Sequence, residues 1–199
     1  MTRSATKGDE RRGALLEALE TYLQEDHTLD DINIADISRR AGVTRSAFYF
    51  YFENKAAAVA ALHEEMYAEG FDAADVLGGD GSVRDRISTA ISAIIAGWGQ
   101  RTHLYRAILE ARATSPAVRD QWEAFQQSYV EVVAELILAE RAAGVAPDGP
   151  DAREIAMALL DLNDRTLERV VRAPEGFDAD AHLEAVVHVW LTSIYGRTA

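Results

Sequence analysis

The stretch from Ile34 to Lys55, IADISRRAGVTRSAFYFYFENK, constrains the fold more than any other part of the chain. Ile34, Ile37 and Ala41 recur at helical spacing and give a first short helix one apolar face. Gly42 follows the last of them, where a helix ends in left-handed backbone that glycine adopts without steric penalty. Val43 is the apolar residue at the corner. Thr44 is placed to N-cap a second helix, its hydroxyl accepting one of the amide hydrogens that a helix start leaves unpaired. Asn54 would cap a third. Two short helices at a tight turn, with a third behind them, make the layout of a helix-turn-helix, which sets its second helix into a DNA major groove.

The residues of the second helix suit that placement. Arg45, Ser46 and Ala47 form its first turn, where small and basic side chains reach base edges, and Arg45 and Ser46 are the candidates for base contact. Phe48 and Phe52 are four apart and pack inward. The aromatic run cannot be buried whole in so short a helix, so Tyr49 and Tyr51 face outward with hydroxyls that bond phosphate. Arg39, on the first helix, and Lys55, at the start of the third, are candidate phosphate cations, and Thr44 stands at the helix mouth. An ordinary helical hairpin with an aromatic core is the competing reading, because the same caps occur in any helical protein. The outward aromatics beside arginines favour DNA.

Net charge at first opposes this, since the chain carries a formal net charge of −13 and DNA binders commonly show a basic face. The distribution softens the conflict. Residues 32–55 hold Arg39, Arg40, Arg45 and Lys55 against Asp36 and Glu53, and residues 1–12 hold Arg3, Lys7, Arg11 and Arg12 against Asp9 and Glu10. Residues 56–199 carry the acid, with 12 Lys and Arg against 23 Asp and Glu. An acidic body either repels DNA from the wrong end or simply keeps the chain soluble.

The rest reads as helix throughout, an all-α fold of an N-terminal helix-turn-helix domain over 1–55 and a helical domain over 56–199. Residues 1–9 read as a polar, disordered arm. Helices are expected from Glu10 to Asp26, from Asn54 to about Asp75, from Val83 to Gly99, from His103 to Ala113, and from Pro116 to near Gly144. Two more follow, from Asp151 to Arg172 and from Asp178 to Tyr195. LGGDGS at 77–82 and APDGP at 146–150 are breakers. The chain has no Cys, which excludes disulfides, thiolate catalysis and cysteine metal sites. With no apolar run near the length of a membrane span and no hydrophobic N-terminal region, a cytoplasmic protein is expected. His27, His63, His103, His182 and His188 lack metal-ligand spacing, and no phosphate-cradling or nucleophile motif appears. Neither enzyme activity, cofactor nor metal is expected.

At AGVTRSAFYFYFENK the chain resembles the TetR family of bacterial transcription regulators. The segments TRSAFYFYF, ARATS at 111–115, LNDRTL at 162–167 and HVWLTSIYG at 188–196 resemble the EthR-like subgroup of that family and span nearly the whole chain. The resemblance implies a ligand-responsive regulator, a repressor released from a palindromic operator by a small hydrophobic effector. It also implies a homodimer in which the last two helices form a four-helix bundle with their mates. Ile155, Leu159, Leu162, Val170 and Val171 on one, with Leu183, Val186, Val187, Leu191 and Ile194 on the other, offer more apolar surface than a single internal face needs.

By the same resemblance, Ile87, Ile91, Ile94, Trp98, Trp122, Phe125, Gln126, Tyr129, Leu167 and Trp190 would surround an elongated apolar pocket, with Asn163 as the polar group that orients a ligand. From the residues alone, such stripes are more often plain core, and Asn163 can equally tie two helices together. Gln126, Val132, Val133 and Leu160 stand where relatives have other pocket residues, so a relative's ligand does not carry over. Two alternatives stay open: a small-molecule binding module whose helix-turn-helix is degenerate, and an activator.

Overall fold

The computed structural model describes residues 6–68, 81–173 and 177–196. Among them every regular element is a helix: α1 Lys7–Gln24, α2 Ile34–Arg40, α3 Arg45–Tyr51, α4 Lys55–Ala68, α5 Val83–Gln100, α6 Thr102–Thr114, α7 Pro116–Ala142, α8 Ala152–Val171 and α9 Ala179–Tyr195. None is long and apolar enough to cross a membrane. The expected continuation of α4 to Asp75, and most of the LGGDGS breaker, lie outside the described residues.

Capping chemistry sets most of the boundaries. The chain is helical from Lys7, ahead of the expected start at Glu10, which corrects the expected arm at residues 7–9; residues 1–5 of that arm lie outside the described residues. Thr6 and Asp9 form a capping box, the Thr6 hydroxyl accepting from the Asp9 amide at 3.2 Å while the Asp9 carboxylate accepts from the Thr6 amide at 2.9 Å. Two orphan donors are satisfied together, and those bonds hold the Asp9 carboxyl below its ordinary range. Asn54 caps α4 by accepting from the Ala57 amide at 2.9 Å. Asp151 and Asp178 do the same for α8 and α9.

The chain packs as two compact units, the first formed by Met1–Gly70 with Arg101–Trp122 and the second by Phe71–Gln100 with Glu123–Ala199. In the first unit, α1 packs on α2, α3, α4 and α6, and α4 packs on α6. Leu15, Leu16, Leu19 and Leu23 of α1 are buried there, as are Ile37, Phe48 and Val59. Trp122, the last residue of this unit, stacks on buried His63 with ring centroids 5.0 Å apart and meets Tyr105 edge-on at 6.2 Å. The Arg112 guanidinium lies 4.5 Å above the Trp122 ring.

The second unit is built on one apolar cluster. Ile87 and Ile91 of α5, Val130, Val133 and Ile137 of α7, Ala156 and Leu159 of α8, and Val186, Val187, Trp190, Leu191 and Ile194 of α9 are all buried in it. Two polar ties cross it. Trp190 donates its indole N–H to the Asn163 side-chain oxygen at 3.0 Å, and the Tyr195 hydroxyl donates to Glu140 at 3.0 Å. Burial, then the adjacent Glu140, raises the Tyr195 phenol above its ordinary value.

Candidate nucleic-acid interface and ligand region

The turn between α2 and α3 closes by a Schellman motif. Val43 donates to the Ser38 carbonyl at 2.9 Å and Gly42 to the Arg39 carbonyl at 3.2 Å. Gly42 takes φ +67, the left-handed geometry that this C-cap requires. The chain then enters α3 at once, the Thr44 hydroxyl accepting from the Ala47 amide at 3.2 Å. Phe48 anchors α3 from within at 0% exposure and tilts against Phe52, ring centroids 5.5 Å apart. The exposed side of α3 is therefore set by helical rotation away from Phe48.

Arg45 and Ser46 are exposed at the first turn. The Arg45 guanidinium donates to the Tyr49 hydroxyl at 3.3 Å and lies 5.7 Å from the centre of its ring. This contact pre-orders a cation and a hydroxyl side by side. Arg39, on α2, is ion-paired with Asp36 yet keeps its side chain 76% exposed. Arg40 is more firmly held, donating twice to Glu25 at 2.8 and 3.0 Å over the face of Tyr22. That pairing holds the Glu25 carboxyl below its ordinary value. Tyr51 is only half-buried but turns toward the start of α1, where a Cβ on Gly8 would stand 3.7 Å from its hydroxyl.

Lys55, expected at the phosphates, is held by neighbouring main chain. Its ammonium donates to the carbonyls of Leu29, Asp30 and Ile32. An ammonium has three donor hydrogens, and here they serve the loop before α2 rather than a phosphate. Among the residues that motif reasoning left off the interface, Phe50 stands out at 82% exposure. The signal was available: at 100° per residue, Phe50 falls almost opposite Phe48.

The expected pocket residues separate. Ile87, Ile91 and Trp190 are buried members of the second unit's core. Trp98 and Leu167 are buried, and Ile94, Phe125, Gln126, Tyr129 and Asn163 are half-buried. Phe125 and Tyr129 meet edge-on at 5.1 Å. Trp122 packs in the first unit against His63 and Tyr105. Of the residues expected to supply extra dimer surface, Leu159, Val186, Val187, Leu191 and Ile194 are spent in the core of their own chain, which weakens the surplus-surface inference. Thr166, one turn on from Asn163, was not singled out in the sequence. Its hydroxyl is buried and makes no hydrogen bond among the described residues. A groove of about 790 Å³ opens in the first unit beside Tyr51, Asn54, Ala57, Ala61 and Val118, lined by none of the expected pocket residues.

Comparison with known proteins gives this geometry its context. Residues 24–62 match the family model of the bacterial regulatory proteins of the tetR family, and residues 87–196 match that of the C-terminal domain of the transcriptional regulator EthR. The chain is 36% identical over 194 residues to the HTH-type transcriptional regulator EthR of Mycobacterium tuberculosis, covering 96% of this chain and 89% of that protein. It belongs to the TetR family. This TetR-family protein is thus a DNA-binding transcriptional regulator, in a family that is not enzymatic, and its C-terminal region is of the EthR type. The EthR of Mycolicibacterium smegmatis is 31% identical over 193 residues, 95% of this chain and 88% of that protein. Among solved TetR-like folds, FadR from Bacillus subtilis, in complex with stearoyl-CoA, superposes with a TM-score of 0.72 at 18% identity, covering 92% of this chain and 98% of that one. NalD, a repressor of a multidrug efflux pump in Pseudomonas aeruginosa, does so at 0.71 and 19% identity, covering 96% and 98%.

Proposed function

We propose that this regulator is a cytoplasmic, homodimeric repressor whose paired α3 helices read a palindromic operator, and that a small hydrophobic effector releases it. The observation that carries the reading is the α2–turn–α3 geometry, which presents Arg45, Ser46 and Tyr49 on one exposed face with Thr44 at the helix mouth. Arg45 and Ser46 touch base edges, while Arg39, Tyr49 and Tyr51 hold phosphates and set the register. In this reading residues 1–55 meet DNA and 56–199 serve ligand and dimer, a functional division that differs from the two compact units, because residues 56–70 and 101–122 pack with the first. A single reading helix makes few base contacts and two on a palindrome double them, so the dimer is the form that gains specificity.

The effector side rests on the half-buried residues of the second unit, Ile94, Phe125, Gln126, Tyr129 and Asn163, together with Trp98 and Leu167. The Thr166 hydroxyl supports this reading, because a buried polar group without a partner calls for a functional reason. EthR-type similarity over 87–196 supports it as well. Stearoyl-CoA bound to the Bacillus subtilis FadR makes a long acyl chain a reasonable first probe. Release requires the effector to bind the DNA-incompetent state more tightly than the DNA-bound one. The test is an operator-binding titration with and without straight-chain acyl probes. Weakened operator binding that tracks acyl binding supports the reading, whereas acyl binding with unchanged operator affinity removes the effector role.

A further inference from the structure

The outermost line of α3 holds a side chain that phosphate contacts leave without a task. At 100° per residue, Ser46 and Phe50 lie one turn apart and farthest from Phe48. Phe48 is fully buried, while Phe50 is 82% exposed, far more than Tyr49 beside it at 48%. The Phe50 ring meets Tyr51 edge-on with centroids 5.0 Å apart, a contact that helps orient it. A phenyl ring offers no hydrogen bond to phosphate or to the polar base edges. The C5-methyl of thymine is the apolar mark that the major groove presents.

Resting on the reading of α3 as the major-groove helix, we propose that Phe50 determines specificity by packing on a thymine methyl group. Ser46 stands near the same line four residues back, about 6 Å along the helix axis. Base pairs stack about 3.4 Å apart. With α3 lying along the groove, the thymine read by Phe50 is therefore one or two base pairs from the base read by Ser46. Phe50 works here by size and apolarity, so its contribution is to sequence preference and leaves the electrostatic component of binding unchanged.

The experiment uses the full chain and the duplex it prefers, recovered by selection from random DNA. Each thymine of that duplex is replaced in turn by deoxyuridine, which removes only the methyl group. Wild type should lose about fourfold in affinity at one position in each half-site, the effect that burying one methyl-sized group carries. Phe50→Ala should bind the thymine duplex more weakly and be indifferent to that same replacement, with the salt slope of binding unchanged. Ser46→Ala should keep the full methyl sensitivity. Because Phe50 is exposed, Phe50→Ala should unfold at the wild-type urea midpoint. Wild type insensitive to loss of every thymine methyl overturns the proposal, as does a methyl penalty that persists undiminished in Phe50→Ala. A DNA-free protein that self-associates through Phe50, seen as a smaller species for Phe50→Ala in sedimentation, also overturns it. Failure to recover any preferred duplex defeats the DNA-reading role of α3 as well, whereas a preferred duplex without methyl sensitivity defeats this proposal alone.

Discussion

The ammonium of Lys55 donates to the main-chain carbonyl of Ile32 at 2.8 Å, fastening the loop before α2 to the first turn of α4. The Leu29 and Asp30 carbonyls share the same ammonium, and the Leu29 amide is held from the other side by Glu110 of α6 at 2.8 Å. Lys55 therefore ties the loop that leads into α2 to the start of α4. Lys55→Met should lower stability by about 1.5–3 kcal/mol, the range for hydrogen bonds to a charged group. Urea unfolding measures that loss. The salt slope of DNA binding should stay as in wild type, since no phosphate charge is removed; a slope flattened by about one unit would restore Lys55 to the phosphate contacts.

His63 takes up its proton at a lower pH than an exposed histidine does. Burial, and then the positive charge of Arg112, pull its pKa from 6.5 down to about 4. The unfolded chain takes up this proton below pH 6.5 and the folded one only near pH 4. The stability due to neutral His63 is thus complete above pH 6.5 and drains away as pH falls toward 4. Between pH 7.5 and 4.5 the loss amounts to about 2–3 kcal/mol. His63→Phe, which keeps a ring against Trp122, should lose less stability over that interval than wild type. Urea midpoints at the two pH values decide it, and equal losses in both proteins would remove His63 as the source.

Asn163 and Thr166 should behave in opposite ways on α8. Asn163→Ala strands the indole N–H of Trp190, a residue only 2% exposed, and should cost about 1–3 kcal/mol. Thr166→Val removes a buried hydroxyl that makes no hydrogen bond among the described residues and should leave thermal stability unchanged or raise it by up to about 1 kcal/mol. If these residues also face the effector, both variants bind an acyl probe less well. A Thr166→Val protein that melts well below wild type would show that the hydroxyl is already satisfied.

Gly42 is required for its backbone alone. A Cβ there would meet nothing within 4 Å, yet φ is +67. Gly42→Ala should cost about 1–2 kcal/mol from left-handed strain, and Gly42→Asn less, because asparagine tolerates that region. Thermal melting of the pair checks the order; alanine no worse than asparagine would contradict it.

Local chemistry made the helix-turn-helix legible in the sequence. Gly42, Thr44 and Asn54 act on backbone groups within a few residues of themselves, so their roles follow from spacing. Phe48 and Phe52 turned inward for the same reason, and Phe50 could have been placed outward by the rotation that buries Phe48. Lys55 could not be read this way. Its partners Leu29, Asp30 and Ile32 lie more than twenty residues back, and only the packed fold brings their carbonyls together. Trp122 shows the same limit. Its helix α7 runs from Pro116 to Ala142 and contributes to both compact units, and an aromatic stripe does not announce where one unit's share ends. The surplus of apolar residues on α8 and α9 was real in the sequence, but most of it went into the core around Trp190.

Selection of bound fragments from random duplex DNA, at a stated salt concentration, tests the reading role of α3 most directly. The expected result is a palindrome whose half-sites lie about one helical turn, ~34 Å, or a multiple of it apart, with a preference that Arg45→Ala relaxes. Recovery of fragments with no shared sequence, and binding that disappears at moderate salt, would instead mean that α3 grips phosphate without reading bases.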